Sequence, residues 1–223
     1  MLIIGNGRLI TRDAEHPYFE RGAVVCDGGT IVAAGDEAAL RAQYPDAEYL
    51  DSHGGVIMPG LINAHTHIYS ALARGLSIDG YNPTSFYEVL DGQWWYIDRN
   101  LDLEATKASA QALVIDSIKQ GVTTVFDHHA SYGAVTGSLA EISRAADELG
   151  LRACLCYEVS DREGESKCRA AIRENVDFMR ESARRTDGMR CGMMGMHAGF
   201  TLSDRTLEAC IEALPATSGC HLH

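Results

Sequence analysis

Pro59-Gly60-Leu61-Ile62-Asn63-Ala64-His65-Thr66-His67 is the stretch on which the fold turns. Side chains alternate faces along a strand, so His65 and His67 project to one side if the run is extended. Val56, Ile57, Leu61 and Ile62 ahead of them are apolar enough for a strand covered on both faces, as in parallel sheets. Two imidazoles converging at the end of such a strand are poorly explained by packing, and they suit two ligands of one divalent metal. A bare His-x-His also occurs as two hydrogen-bonded histidines in a turn. The apolar strand and the Pro-Gly before it favour metal.

Outward from this stretch the chain has two rhythms. Residues 1–55 read as short strands and turns. Leu2–Ile4 and Arg8–Thr11 flank Gly-Asn-Gly, and Ala23–Cys26 and Thr30–Ala34 flank Asp27-Gly28-Gly29, a hairpin signal. This segment is read as the N-terminal part of a small β-sandwich domain. From residue 56 to residue 223, strands alternate with helices. Strands are expected at Val56–Ala64, Gly121–Asp127, Leu151–Val159, Cys191–Met196 and Gly219–His223. Asp102 caps a helix running to Gln120, with Ala108, Ala112, Ile115 and Ile118 on one stripe. Leu139–Leu149 ends at Gly150. Ile172, Val176, Met179 and Ala183 stripe a third helix. Ser203 caps a fourth, carrying Leu207, Cys210, Ile211 and Leu214.

Such alternation predicts parallel strands with helices outside, and the strand ends favour a barrel over an open sheet. Histidines follow them repeatedly: His65 and His67, His128 and His129, His197, then His221 and His223. Active sites of (β/α)8 barrels collect on that face. The residues after the β-leader fall short of the ~250 such a barrel needs and supply about the first five strands. The expectation is therefore a (β/α)8 TIM-type barrel, truncated at strand five, in an N-terminal fragment of a longer enzyme. His221-Leu222-His223 is a second His-x-His, adding a third ligand from another strand end. Three protein ligands with an open position is how catalytic zinc sites are built.

Pro-Gly-Leu-Ile-Asn-Ala-His-Thr-His resembles the first-strand signature of the amidohydrolase superfamily, in the branch holding cytosine and guanine deaminases and triazine hydrolases. Over the whole chain it is most similar to the SsnA-type aminohydrolases. The resemblance implies that the metal ligands are His65, His67 and His223, rather than His221. It also implies a general acid/base glutamate, a further histidine and a strand-eight aspartate, all beyond residue 223. Met196-His197-Ala198-Gly199-Phe200-Thr201-Leu202-Ser203 resembles the family's segment in which the histidine contacts substrate, so His197 is expected to bind substrate. The implied activity is hydrolysis of a non-peptide carbon–nitrogen bond by metal-activated water, foremost deamination of a purine- or pyrimidine-like ring. Zinc is the first expectation and iron the second. The alternatives are loss of another leaving group, such as chloride or an alkylamine, and a non-catalytic truncated product. This fragment alone is expected to be inactive.

Other candidates read more plainly. Arg74 is expected to be solvated rather than to touch substrate. Phe86, Trp94, Trp95 and Tyr96 are expected mostly to pack beneath the long loop after strand one. His128 and His129 are expected to be structural. Cys154 and Cys156 share a strand face, a possible soft-metal pair that their apolar neighbours make read as core. No dinucleotide loop, phosphate loop or nucleophile elbow competes.

Composition narrows the partners. The 223 residues are 46% hydrophobic and 22% charged, with net charge −12 and no basic run. That argues against nucleic acid and anionic membrane; the family resemblance implies a small heterocyclic substrate, and a homo-oligomer is expected at full length. Seven scattered cysteines fit reduced thiols better than a disulfide framework. With no leader peptide or ~20-residue apolar run, a cytoplasmic location is expected.

Overall fold

The computed structural model describes residues 1–222 and divides into two compact units, Met1–Gly60 and Leu61–His223. In the first unit, β1 (Leu2–Ile10), β2 (Tyr18–Asp27) and β3 (Thr30–Asp36) form an antiparallel meander. β4 (Glu48–Asp51) and β5 (Val56–Ile57) pair parallel to β1. The expected break at Gly5-Asn6-Gly7 is instead an irregularity within one strand: β1 runs through it, and Asn6 adopts a φ of 53° where the register shifts. α1 (Glu37–Gln43) starts at Asp36, whose side chain accepts from Ala39 N at 3.0 Å. Ile3, Ala23, Val25 and Leu40 form the core.

The expected first barrel strand, Val56–Ala64, is two strands. Val56 and Ile57 pair with Arg8 and Leu9 in the first unit. After the Pro59-Gly60 interruption, β6 (Leu61–Thr66) pairs with β7 (Val122–His129) in the second. β6 also departs from the expected two-sided burial, with Ile62 64% exposed, because it is the outer strand of the described sheet and has β7 alone beside it.

The second unit winds parallel strands in sequence order. β8 (Arg152–Tyr157) follows β7, and β9 (Arg190–Gly192) follows β8. The expected fourth strand breaks at Met193 into β9 and β10 (Met194–Met196). Both pieces stay on the third strand, through Met193 N–H to Leu155 O at 3.1 Å and Val159 N–H to Gly195 O at 3.2 Å. β11 (Cys220–Leu222) then pairs parallel with β10.

Short helices α2 (Phe86–Val89) and α3 (Trp95–Asn100) lie in the loop after β6. The connections between strands carry α4 (Leu103–Lys119), α5 (Ser138–Leu149), α6 (Glu165–Ser182) and α7 (Asp204–Ala213). Asp102 and Ser203 cap α4 and α7 as the sequence indicates, and Gly150 closes α5 at φ 75°. The stripe on α4 is not the expected one. Thr106, Ala110, Val114 and Ser117 are buried, while Ile115 is 44% exposed. That register faces α5 and the 3-10 turn Ile68–Ala73, where Ser109 Oγ donates to Ile68 O at 2.6 Å. On α7 Cys210 is buried and Ile211 exposed. Leu139, Ile142, Leu155, Phe178 and Met194 lie in the main core. Among the described residues no helix is long and apolar enough to cross a membrane.

Candidate metal centre and pocket

β6 delivers His65 and His67 to one face, as alternation requires, and their Nε2 atoms stand 3.0 Å apart. The turn after His67 is fixed from β7. Asp127, 1% exposed, accepts the Ile68 N–H through Oδ1 at 2.7 Å. Burial pushes its carboxyl up to about 8, against the pull of that N–H. The His67 ring is held by the next residue of β7, with Nδ1 2.9 Å from the His128 carbonyl oxygen. A carbonyl only accepts, so Nδ1 carries the proton and Nε2 presents its lone pair, the tautomer a metal ligand needs. Burial lowers the pKa of His67, which keeps that lone pair available. Tetrahedral zinc with ~2.0–2.1 Å bonds to nitrogen holds two such atoms roughly 3.3 Å apart. The pair therefore fits a divalent ion. His223 lies outside the described residues.

A cavity of about 350 Å³ opens over these histidines. Tyr69, Phe86 and Trp94 give it aromatic walls, and Glu158 and His197 give it polar groups. Its size falls in the range of small-molecule pockets. Of the loop aromatics, Trp95 is buried as expected, whereas Phe86 and Tyr96 are exposed.

His197 follows β10 and is 6% exposed. Its Nδ1 lies 3.0 Å from Thr201 Oγ1, whose single proton goes to Ala198 O at 2.8 Å. Nδ1 is therefore the donor, and Nε2 points toward Glu158 Oε2 at 3.7 Å. Glu158, just past β8, is itself held by Arg162, whose Nε donates to Oε1 at 3.0 Å. Arg162 also meets Asp98 Oδ2 at 2.5 Å and lies between the rings of Trp95 and Tyr132, 5.0 and 4.3 Å from their centroids. Burial raises the Glu158 carboxyl while Arg162 pulls it down. Sequence reasoning missed Glu158, although its place at a strand's C-terminal end was the available signal.

His129 is structural. It is fully buried, bonded to Ser131 Oγ at 2.8 Å, and burial lowers its pKa to about 3. Arg74 is exposed and pairs with Asp116 at 2.5 Å. Cys154 faces its register partner Cys191, whereas Cys156 meets histidines. Its Sγ lies 3.6 Å from His128 Nδ1 and 3.8 Å from His221 Nδ1, and those two nitrogens are 3.0 Å apart.

The bacterial imidazolonepropionase-like composite domain matches residues 22–47. The 5'-deoxyadenosine deaminase of Methanococcoides burtonii is 28% identical over the whole chain, which covers 48% of that relative. The 5-methylthioadenosine/S-adenosylhomocysteine deaminase of Pelotomaculum thermopropionicum is 26% identical, again over 100% of this chain and 48% of its own length. The chain thus spans about half the length of the curated relatives it matches. Among solved structures, guanine deaminase of E. coli superposes with a TM-score of 0.79 at 16% identity, over 100% of this chain and 53% of that one. Atrazine chlorohydrolase TrzN of Arthrobacter aurescens TC1, complexed with zinc, superposes with 0.75 at 22% identity, over 95% and 50%. These likenesses identify the second unit as part of a TIM-type barrel. The amidohydrolase family profile matches residues 56–223, from the Pro-Gly-led histidine strand to the second His-x-His, and the chain belongs to that family.

Proposed function

We propose that this chain forms the first part of a metal-dependent hydrolase acting on a non-peptide carbon–nitrogen bond of a heterocycle, with deamination of a purine- or pyrimidine-like ring as its reaction. Water replaces the ring amino group and ammonia leaves. The observation that carries the reading is the convergence of His65 Nε2 and His67 Nε2 at 3.0 Å beneath an aromatic-walled cavity. His65, His67 and His223 would hold one divalent ion, zinc first and iron second, imidazole being a good donor to both. Bound there, the ion would bring the pKa of a water molecule near neutrality.

This chain's own residues bind and orient. The His128 carbonyl fixes the His67 ring, and Asp127 fixes the turn after it. Tyr69, Phe86 and Trp94 offer faces to a flat ring and exclude water from it. His197, with Nδ1 committed to Thr201 and Nε2 3.7 Å from Glu158 Oε2, would contact the polar atoms of the substrate from the Glu158 side of the cavity. The curated relatives' names, deaminases of adenosine derivatives, support the same substrate class.

The test uses the full-length polypeptide with 5'-deoxyadenosine, 5-methylthioadenosine and guanine as probes, reading ammonia release and bound metal. His65→Ala with His67→Ala should abolish ammonia release and remove about one equivalent of metal. Full metal retention in that variant would sink the metal assignment. His197→Ala should lower kcat/KM roughly ten- to a hundredfold, the worth of one hydrogen bond to a polar or charged group, with metal content unchanged. Loss of metal in His197→Ala would make it a ligand instead. Turnover of chlorinated or alkylamino triazines with no ammonia from the purines would move the reading to another leaving group.

A further inference from the structure

We propose that His128, Cys156 and His221 form a second metal site, taking one soft divalent ion of the zinc class, beside the His65–His67 pair and sharing no ligand with it; the His67 and His128 rings are 6.1 Å apart. The inference stands on these three residues and does not require the deaminase reading.

The first support is how the fold brings the donors together. His128 on β7 and Cys156 on β8 are register partners and share a face. His221 is on β11, two strands beyond β8, and its partner on the intervening β10 is Gly195. A Cβ on Gly195 would stand 2.3 Å from Tyr157 O and 2.9 Å from Cys156 Sγ. Any side chain there would collide with the backbone and fill the gap between thiol and imidazole. The glycine is what lets donors from the second, third and fifth parallel strands meet.

The second support is metric. Bonds of ~2.0–2.1 Å to nitrogen and ~2.3 Å to sulfur at tetrahedral angles put nitrogens roughly 3.3 Å apart and nitrogen and sulfur about 3.6 Å apart. The three atoms here are separated by 3.0, 3.6 and 3.8 Å. A thiolate with two imidazoles selects zinc-class ions over magnesium or calcium.

Binding releases one proton. The Cys156 thiol, which donates to Asp127 O at 3.3 Å without the ion, gives its proton to solvent and its sulfur lone pair to the metal. Both imidazoles bind through Nδ1 as neutral rings, with their protons on Nε2. Cys156 is fully buried, and a buried thiolate needs a cation beside it.

The test is Co2+ titration of the metal-free protein, followed by absorption spectroscopy, because thiolate ligation gives a sulfur-to-cobalt charge-transfer band in the near ultraviolet that histidine ligation does not. Wild type should show the band and take up about two equivalents. Cys156→Ser should lose the band and about one equivalent, and His128→Asn and His221→Asn should do the same. His65→Ala with His67→Ala should keep the band, so a failure of the other site is distinguishable. Absence of the band in wild type would make the cluster a hydrogen-bonded layer only and overturn the proposal, whatever the variants do. A band that survives Cys156→Ser and disappears in Cys191→Ser would place the thiolate at Cys154 and Cys191 and also overturn it.

Discussion

Glu37 in the N-terminal unit and Glu158 in the strand–helix unit are both buried carboxylates, and their surroundings differ. Glu37 is met by neutral donors, the Tyr49 hydroxyl at 2.6 Å and the Asn6 N–H at 3.1 Å, with Arg41 3.7 Å away at the surface. Glu158 shares one buried arginine with Asp98, itself fully buried, and with Glu163. Neutral donors satisfy Glu37 with little electrostatic conflict. Around Arg162 several acids compete for one cation, an arrangement costly to desolvate. Such groups collect where a site must hold charge in place, and Glu158 opens onto the cavity over His65 and His67.

Arg162→Ala should break this contrast most sharply. It leaves Glu158 and Asp98 buried without their cation, and removing one partner of a buried pair costs about 3–5 kcal/mol. Urea unfolding of wild type and variant measures it. A loss under about 1 kcal/mol would show that water reaches these groups and that the two units do not differ in kind.

Asp98 supplies a smaller effect with a definite sign in pH. Burial pushes its carboxyl up to about 7, against the pull of Arg162. A carboxyl whose folded pKa is raised adds stability that is fully present below its unfolded value, ~3.9, and is lost as pH rises through the folded value. Unfolding free energy at pH 5, 6 and 7 should therefore fall more steeply with pH in wild type than in Asp98→Asn. Parallel curves would mean that the arginine keeps Asp98 ionised throughout. In the N-terminal unit the matching probe is Tyr49→Phe. Its hydroxyl, pushed up to about 12 chiefly by the bond to Glu37, is one neutral donor, and its removal should cost about 1 kcal/mol with no change in pH slope between 5 and 8.

The sequence shows the members of the two units unequally. Strands, caps and the His-x-His face are legible because they depend on neighbours: the Pro-Gly before Leu61, the alternation from His65 to His67, Asp102 and Ser203 at helix starts. The Arg162 network depends on pairing across 64 residues, between Asp98 in the loop after β6 and Arg162 after β8, and no local pattern announces it. Local periodicity also misjudges α4, where Ile115 and Ile118 look like core and are exposed, while Ser109 and Ser117 are buried. Which stripe faces inward is decided by the 3-10 turn and α5. Cys156 reads as an ordinary core thiol for the same reason, since His128 and His221 reach it from other strands.

The smallest effect is expected at Arg74, and it sharpens the contrast from the other side. Arg74 also faces a carboxylate, Asp116, at 2.5 Å, but both side chains are largely in water, 69% and 45% exposed. Exposed pairs of this kind contribute between 0 and about 1 kcal/mol, because solvent screens the attraction and two long side chains lose freedom. Arg74 also donates through Nε to Ala71 O at 3.1 Å, at the end of the 3-10 turn after His67. Arg74→Ala should therefore shift unfolding by no more than about 0.5 kcal/mol and leave kcat/KM of the full-length enzyme within about twofold, a change of roughly 0.4 kcal/mol. Added salt should reduce even that stability difference, since the pair lies within reach of screening ions. A tenfold fall in kcat/KM with unchanged stability would instead make Arg74 a substrate contact, reaching the pocket from the loop after β6.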